Sequence, residues 1–141
     1  ADHHERTMTA PDLPTEFSEI EMRCPPCNTT WSAPVARRVN VRTHPDARFG
    51  ILLKTMHWTR CPLCKQPRQI ETIFEYYDPD QRLLVQVRPE WETTPVVAGV
   101  VLGRYEDLVL KYQDVDVRVD VVFGFDQLIE KYLGGQAAVQ E

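Results

Sequence analysis

Four cysteines carry the most explicit chemistry in the chain. They stand in two copies of one pattern, Cys24-Pro25-Pro26-Cys27 and Cys61-Pro62-Leu63-Cys64, and no other cysteine is present. A Cys-x-x-Cys turn aims two sulfurs at one point, and two such turns supply the four soft ligands of a tetrahedral metal site. Zinc is the expected ion, and the ligands are Cys24, Cys27, Cys61 and Cys64. With four protein ligands the ion has no open position at which to activate a water, so the site reads as structural rather than catalytic. Iron in the same ligand set, a dithiol redox pair and two disulfides are the competing readings. The redox pair would call for a thioredoxin-like βαβ pattern, which the flanking sequence lacks.

Within each turn, Pro25 and Pro62 fix φ just after the first ligand. The position after the second ligand favours positive φ and is held by Asn28 and Lys65, of which Asn tolerates that region better. Pro26 removes an amide that could have donated to the sulfur of Cys24. Cys24 is therefore expected to be the less shielded thiolate and the first to react.

Other candidate chemistry is thinner. There is no nucleophile elbow, phosphate-cradling glycine loop or acid pair at catalytic spacing, and no catalytic residue is assigned; the chain is not expected to be an enzyme. His57, four residues before Cys61, reads as packing beside Trp58, His44, before Pro45, as a helix-start residue, and His3 and His4 as solvated. Arg37, Arg38 and Arg42 form a basic run that nucleic acid could use, with Trp31, Trp58, Trp91, Tyr76 and Tyr77 available to stack on bases. The alternative is that these aromatics fill a small core.

The elements needed to position the cysteines follow from periodicity. Phe17, Ile20 and Met22 lead into the first knuckle as a strand, and residues 29–41 continue beyond it as another. His44-Pro45-Asp46 starts a short helix, with Phe49, Leu52 and Leu53 behind it, inside the 33-residue gap between Cys27 and Cys61. Residues 56–60 return as a strand into the second knuckle. Residues 69–77 and 82–87 form a hairpin around the turn at Asp78-Pro79-Asp80-Gln81. Pro89, Pro95 and the polar stretch between them mark a linker. Beyond it, Tyr105–Tyr112 reads as a helical turn or two with Leu108, Val109 and Tyr112 inward. Val115, Val117, Val119 and Val121 alternate with Asp114, Asp116, Arg118 and Asp120 as a strand with one buried and one wet face. Asp126 caps a helix whose stripe is Leu128, Ile129, Tyr132 and Leu133, and Gly134-Gly135 ends it.

The fold class is accordingly α+β: an elaborated zinc ribbon of antiparallel β-hairpins with a short inserted helix, then a small C-terminal α+β segment. The divisions are a tail at 1–15, the cysteine module at 16–89, the strand and helix segment at 96–135 and a tail at 136–141. The longest apolar run, Val96–Leu102, is seven residues, against ~20 for a membrane-spanning helix. The polar start of the chain carries no secretory h-region, which with the paired cysteine spacing points to the cytoplasm. Net charge is −5 but uneven: residues 16–71 hold nine Lys or Arg against five acids, and residues 72–141 hold six against thirteen. A divalent ion replacing four thiol protons lowers the module to about +2, a weak field for phosphate. A protein partner within a larger assembly is therefore expected ahead of nucleic acid, with a zinc-thiolate redox sensor as a further alternative; the oligomeric state is left open.

The order Cys24-Pro25-Pro26-Cys27, Val39-Asn40-Val41, Asp46, Cys61-Pro62-Leu63-Cys64, Tyr76-Tyr77-Asp78 and Pro89 resembles the CpXC family of bacterial and archaeal proteins, which lacks an assigned activity. The resemblance covers about residues 20–89 and, more loosely, 122–133. It implies the same four metal ligands. Lys65 stands where glycine is common, and Tyr76-Tyr77 where Leu-Tyr is usual.

Overall fold

The structure is a computed structural model that describes residues 13–93 and 98–134. His3 and His4, most of the N-terminal tail, Pro95, Gly135 and the C-terminal tail lie outside the described residues. Three antiparallel hairpins supply most of the strands. β1 (Glu16–Arg23) pairs with β2 (Thr30–Asn40), β3 (Trp58–Arg60) with β4 (Pro67–Gln69), and β5 (Phe74–Asp78) with β6 (Leu83–Arg88). A short helix, α1 (Asp46–Leu52), sits between the two knuckles as the His44-Pro45-Asp46 signal predicts. After a 3₁₀ turn (Glu90–Thr93) come α2 (Ala98–Lys111), β7 (Arg118–Phe123) and α3 (Phe125–Tyr132).

Two parallel pairings join these pieces into a five-stranded sheet of order β1-β2-β5-β6-β7. β2 runs parallel to β5, with the second knuckle hairpin inserted in the connection, and β6 runs parallel to β7, with α2 in the crossover. Parallel neighbours need long connections, and both inserts are of that kind. The C-terminal segment thus packs on the cysteine module by extending its sheet.

β5 and β6 are covered on both faces. On one face Phe74, Tyr76, Leu83, Val85 and Val87 pack with Ile51 of α1 and Leu128 and Ile129 of α3. On the other, Tyr77 and Leu84 pack with Leu108 and Tyr112, and Val115, Val117, Val119 and Val121 close over them. The valine alternation is met only in part: the strand begins at Arg118, Val115 and Val117 precede it, all four valines are half-buried, and the fully buried Val122 lies on the opposite face. The opposite face is not simply wet, because Asp120 accepts hydrogen bonds from the Tyr132 hydroxyl and from Lys131 Nζ at 3.0 Å. Among the described residues no helix is long and apolar enough to cross a membrane.

Several local expectations shift. α1 buries Ile51 rather than Phe49 or Leu53, which are 64% and 65% exposed. α2 runs well N-terminal of Tyr105; Leu108 and Tyr112 are buried, but Val109 faces outward. α3 begins at Gly124, not at an Asp126 cap: Gly124 has φ 87°, and a Cβ there would meet Glu90 Cβ at 3.2 Å, so only glycine fits the entry. Asp126 instead pairs with Lys54. Gly134, also at φ 87°, stops the helix as read from the sequence.

Candidate metal centre

Each Cys-Pro-x-Cys turn is held by the same two backbone bonds. In the first, Asn28 N–H donates to Cys24 O at 2.7 Å and Cys24 N–H to Thr29 O at 2.9 Å; in the second, Lys65 donates to Cys61 O at 2.9 Å and Cys61 to Gln66 O at 3.0 Å. Asn28 and Lys65 sit at φ 59° and 66°, the conformation expected after the second ligand. Arg23 Nε braces the first turn on Asn28 Oδ1 at 2.6 Å, and Arg60 Nη1 braces the second on Lys65 O at 3.0 Å.

The knuckle hairpins are fastened to each other behind the cysteines. Trp31 Nε1 donates to Thr59 Oγ1 at 3.0 Å, linking β2 to β3. The Ala36 amide donates to His57 Nε2 at 3.1 Å. His57 is neither a ligand nor a neighbour of Trp58 only. Its ring stands edge-on to Phe74 at 5.1 Å, and its backbone is left-handed at φ 62°. Burial, reinforced by the charge of Arg37, lowers its pKa to about 4. The imidazole is neutral, accepts at Nε2 and keeps its proton on Nδ1.

These ties bring the four sulfurs together. Every pair lies within 4.8 Å, with Cys24 to Cys64 at 3.6 Å and Cys27 to Cys61 at 3.4 Å. All four cysteines are free, and those separations are beyond the ~2.0 Å of a disulfide. They sit close to the ~3.8 Å edge of a tetrahedron whose metal–sulfur bonds are about 2.3 Å. The donor set is four thiols, the chemistry of a closed site for a soft or borderline divalent ion.

The electrostatics favour such an ion. The Thr29 hydroxyl and amide draw Cys27 down to about 6. The Gln66 amide also favours the Cys64 thiolate, yet desolvation and the three neighbouring sulfurs push Cys64 up to about 11. Four adjacent sulfurs cannot all ionise unless a cation offsets their repulsion.

The expectation that Cys24 is the least shielded ligand is corrected here. Cys24 is fully buried, and Arg68 Nη2, 3.5 Å from its sulfur, supplies a donor where Pro26 offers none. Cys61 is also buried, Cys27 half-buried, and Cys64 is the exposed member of the cluster. In the second turn the Cys64 amide approaches Cys61 Sγ at 3.5 Å. Only the pairing of hairpins reveals Arg68, since it lies 44 residues from Cys24.

The basic run is dispersed. Arg38 is buried, donating from Nε to Glu75 at 3.1 Å and from Nη2 to the Tyr112 hydroxyl at 3.0 Å. Arg42 pairs with Asp80 at 2.5 Å, and Arg37 bonds to Ser18 and Thr72, both at 2.7 Å. Tyr76 and Tyr77 are core residues, whereas Trp58 and Trp91 are 47% and 62% exposed.

A scan against family models matches the CpXC protein family over residues 22–139, and the chain belongs to that family. The match extends beyond the cysteine module through the C-terminal strand and helix. No curated protein and no solved structure matches the chain.

Proposed function

We propose that this CpXC protein is a non-enzymatic, zinc-braced module that presents a rigid surface to a protein partner within a cytoplasmic assembly. Cys24, Cys27, Cys61 and Cys64 would hold the ion, which would cross-link two knuckle hairpins that lie at the edge of the main core. The observation that carries the partner reading is an apolar face beside the second knuckle. Phe49 on α1 and Leu53, the residue that caps its C-terminus, are one helical turn apart and exposed, and Trp58, about half exposed, is pinned by its Nε1 to Lys54 O at 2.9 Å. Trp58 also lines a groove of about 510 Å³ with Lys54, Arg60 and Pro67. Exposed aromatic and aliphatic side chains on neighbouring segments of the chain are a common mark of an interaction surface.

The test combines two measurements. Elemental analysis is expected to give one zinc per chain. Capture by the tagged protein is expected to survive nuclease and moderate salt and to fail with the Leu53→Ser, Trp58→Ser double variant. Capture lost to nuclease or falling steeply with salt would favour nucleic acid, read through Arg37 and Arg42. The exposed Cys64 favours a second reading, a redox sensor. In it hydrogen peroxide takes two electrons from a thiolate pair and two protons from solvent, leaving a disulfide and two waters, and the ion is released. Metal retained under mild peroxide would exclude it.

A further inference from the structure

A second surface feature lies between the second knuckle hairpin and the start of α3. It is a cleft of about 620 Å³ whose floor is Ile70, Phe74 and Val87, all buried. Phe125 forms one wall, edge-on to Phe74 at 5.9 Å, and His57 another. At the rim stands Trp91, 62% exposed, yet its Nε1 donates to Glu71 Oε2 at 2.7 Å. The indole is thus largely open to solvent yet fixed in orientation, an ordering that costs side-chain entropy.

The charges around the cleft are unequal. Its acids are Glu71, Glu90 and Asp126; its cations are Lys54 and Arg88. Both cations are already engaged, Lys54 with Asp126 at 2.5 Å, and Arg88 with Glu92 at 2.8 Å and Gln86 at 2.9 Å. His57 contributes no positive charge at neutral pH. The cleft is therefore an apolar slot with an oriented aromatic face and, at its rim, the Glu71 carboxylate, which accepts from the neutral Trp91 N–H. That combination suits a side chain with an aliphatic stem and a cationic head.

We propose that the cleft receives a basic side chain, arginine ahead of lysine, presented by a partner polypeptide. The stem lies against Ile70 and Val87, and the head meets the Trp91 face and the Glu71 carboxylate. Arginine is preferred because its planar guanidinium stacks on an indole while still donating to a carboxylate. The inference rests on the reading that the chain binds a protein, and it gives that partner a chemistry. Lys54 lines both this cleft and the Trp58 groove, so one segment can reach both.

The experiment follows the indole N–H resonance of Trp91 in the ¹⁵N-labelled full chain loaded with zinc, assigned by its loss in Trp91→Phe. The probes are capped Gly-Arg-Gly, Gly-Lys-Gly, Gly-citrulline-Gly and Gly-Glu-Gly. Saturable movement of the Trp91 signal is expected with the arginine peptide, weaker with lysine, and absent with citrulline and glutamate. Glu71→Gln is expected to weaken the arginine peptide about fivefold, with the Trp31 and Trp58 indole signals reporting that the fold is intact. The citrulline control needs no variant, since it keeps shape and removes charge. Citrulline or glutamate peptides binding as well as arginine, or an arginine peptide that leaves Trp91 unmoved, would overturn the proposal. Capture that still depends on Leu53 and Trp58 in that event would leave the protein-partner reading standing.

Discussion

His57 gives the sharpest quantitative expectation. Its pKa is about 4 in the folded chain, against 6.5 for a free imidazole. A group whose folded pKa is depressed in this way binds protons more readily when unfolded. Its contribution is fully present above 6.5 and is lost as pH falls from there toward 4. The full difference corresponds to about 3 kcal/mol, of which about 2 kcal/mol is lost by pH 5. The perturbation is His57→Gln, which retains a side-chain acceptor for the Ala36 amide and removes the titration. Urea unfolding of the zinc-loaded wild type and variant, measured between about pH 7.5 and 5, checks it. The wild type is expected to lose about 2 kcal/mol more than the variant across that window. Differences at the left-handed backbone and any protonation of the thiolates enter as an offset or a shared slope, so the divergence of the two curves isolates His57. Parallel curves would refute the reasoning that a buried, neutral imidazole fastens the hairpin.

Two further outcomes test the metal centre. Lys65→Gly relieves a non-glycine residue at φ 66° and is expected to raise stability by about 0.5–1 kcal/mol in urea titrations. Asn28→Gly should gain less, because Asn already tolerates that conformation, and an equal gain or a loss for Lys65→Gly would contradict the strain argument. Removal of the ion by a chelator is expected to raise hydrogen exchange about a hundredfold in residues 57–70 while β5 and β6 stay protected; uniform loss of protection across the sheet would show that the ion holds the whole fold.

What the sequence disclosed is what short-range chemistry encodes. The knuckles, the positive φ after each second cysteine, the helix start at Pro45 and the valine alternation all arise within a few residues. The parallel pairings of β2 with β5 and β6 with β7 were not legible, because register between strands tens of residues apart leaves no local pattern. The same reason hid the Arg38–Glu75 pair, the Arg68 contact to Cys24 and the cleft, each of which exists only once distant segments meet. At α1 the spacing of Phe49, Leu52 and Leu53 marked the helix but not its buried side: the core takes Ile51 and part of Leu52, while Phe49 and Leu53 stay exposed. Apolar spacing shows that a face exists without showing what covers it.

The two halves of the molecule are stabilised by different means, and this bears on how the surfaces are held. The five-stranded sheet has an extensive core on both faces and a buried lock besides: Glu75 accepts from Arg38 of β2, from the Tyr112 hydroxyl just after α2, and from Lys111 Nζ at 2.7 Å. Such a charge cluster adds little net stability, but leaving one member unpaired would be costly, so it fixes the alignment of β2, β5 and α2. β3 and β4, by contrast, have three residues each and pair only with one another. Strands that short do not persist unaided. They are retained by the cysteine cluster at one end and by the Trp31 and His57 bonds behind it. Trp58 and one side of the cleft belong to this hairpin, so an ion held by the four cysteines would touch neither surface yet would decide whether both are formed. In the proposed reading, a metal with no open coordination position would govern binding by holding the backbone that displays the contacts.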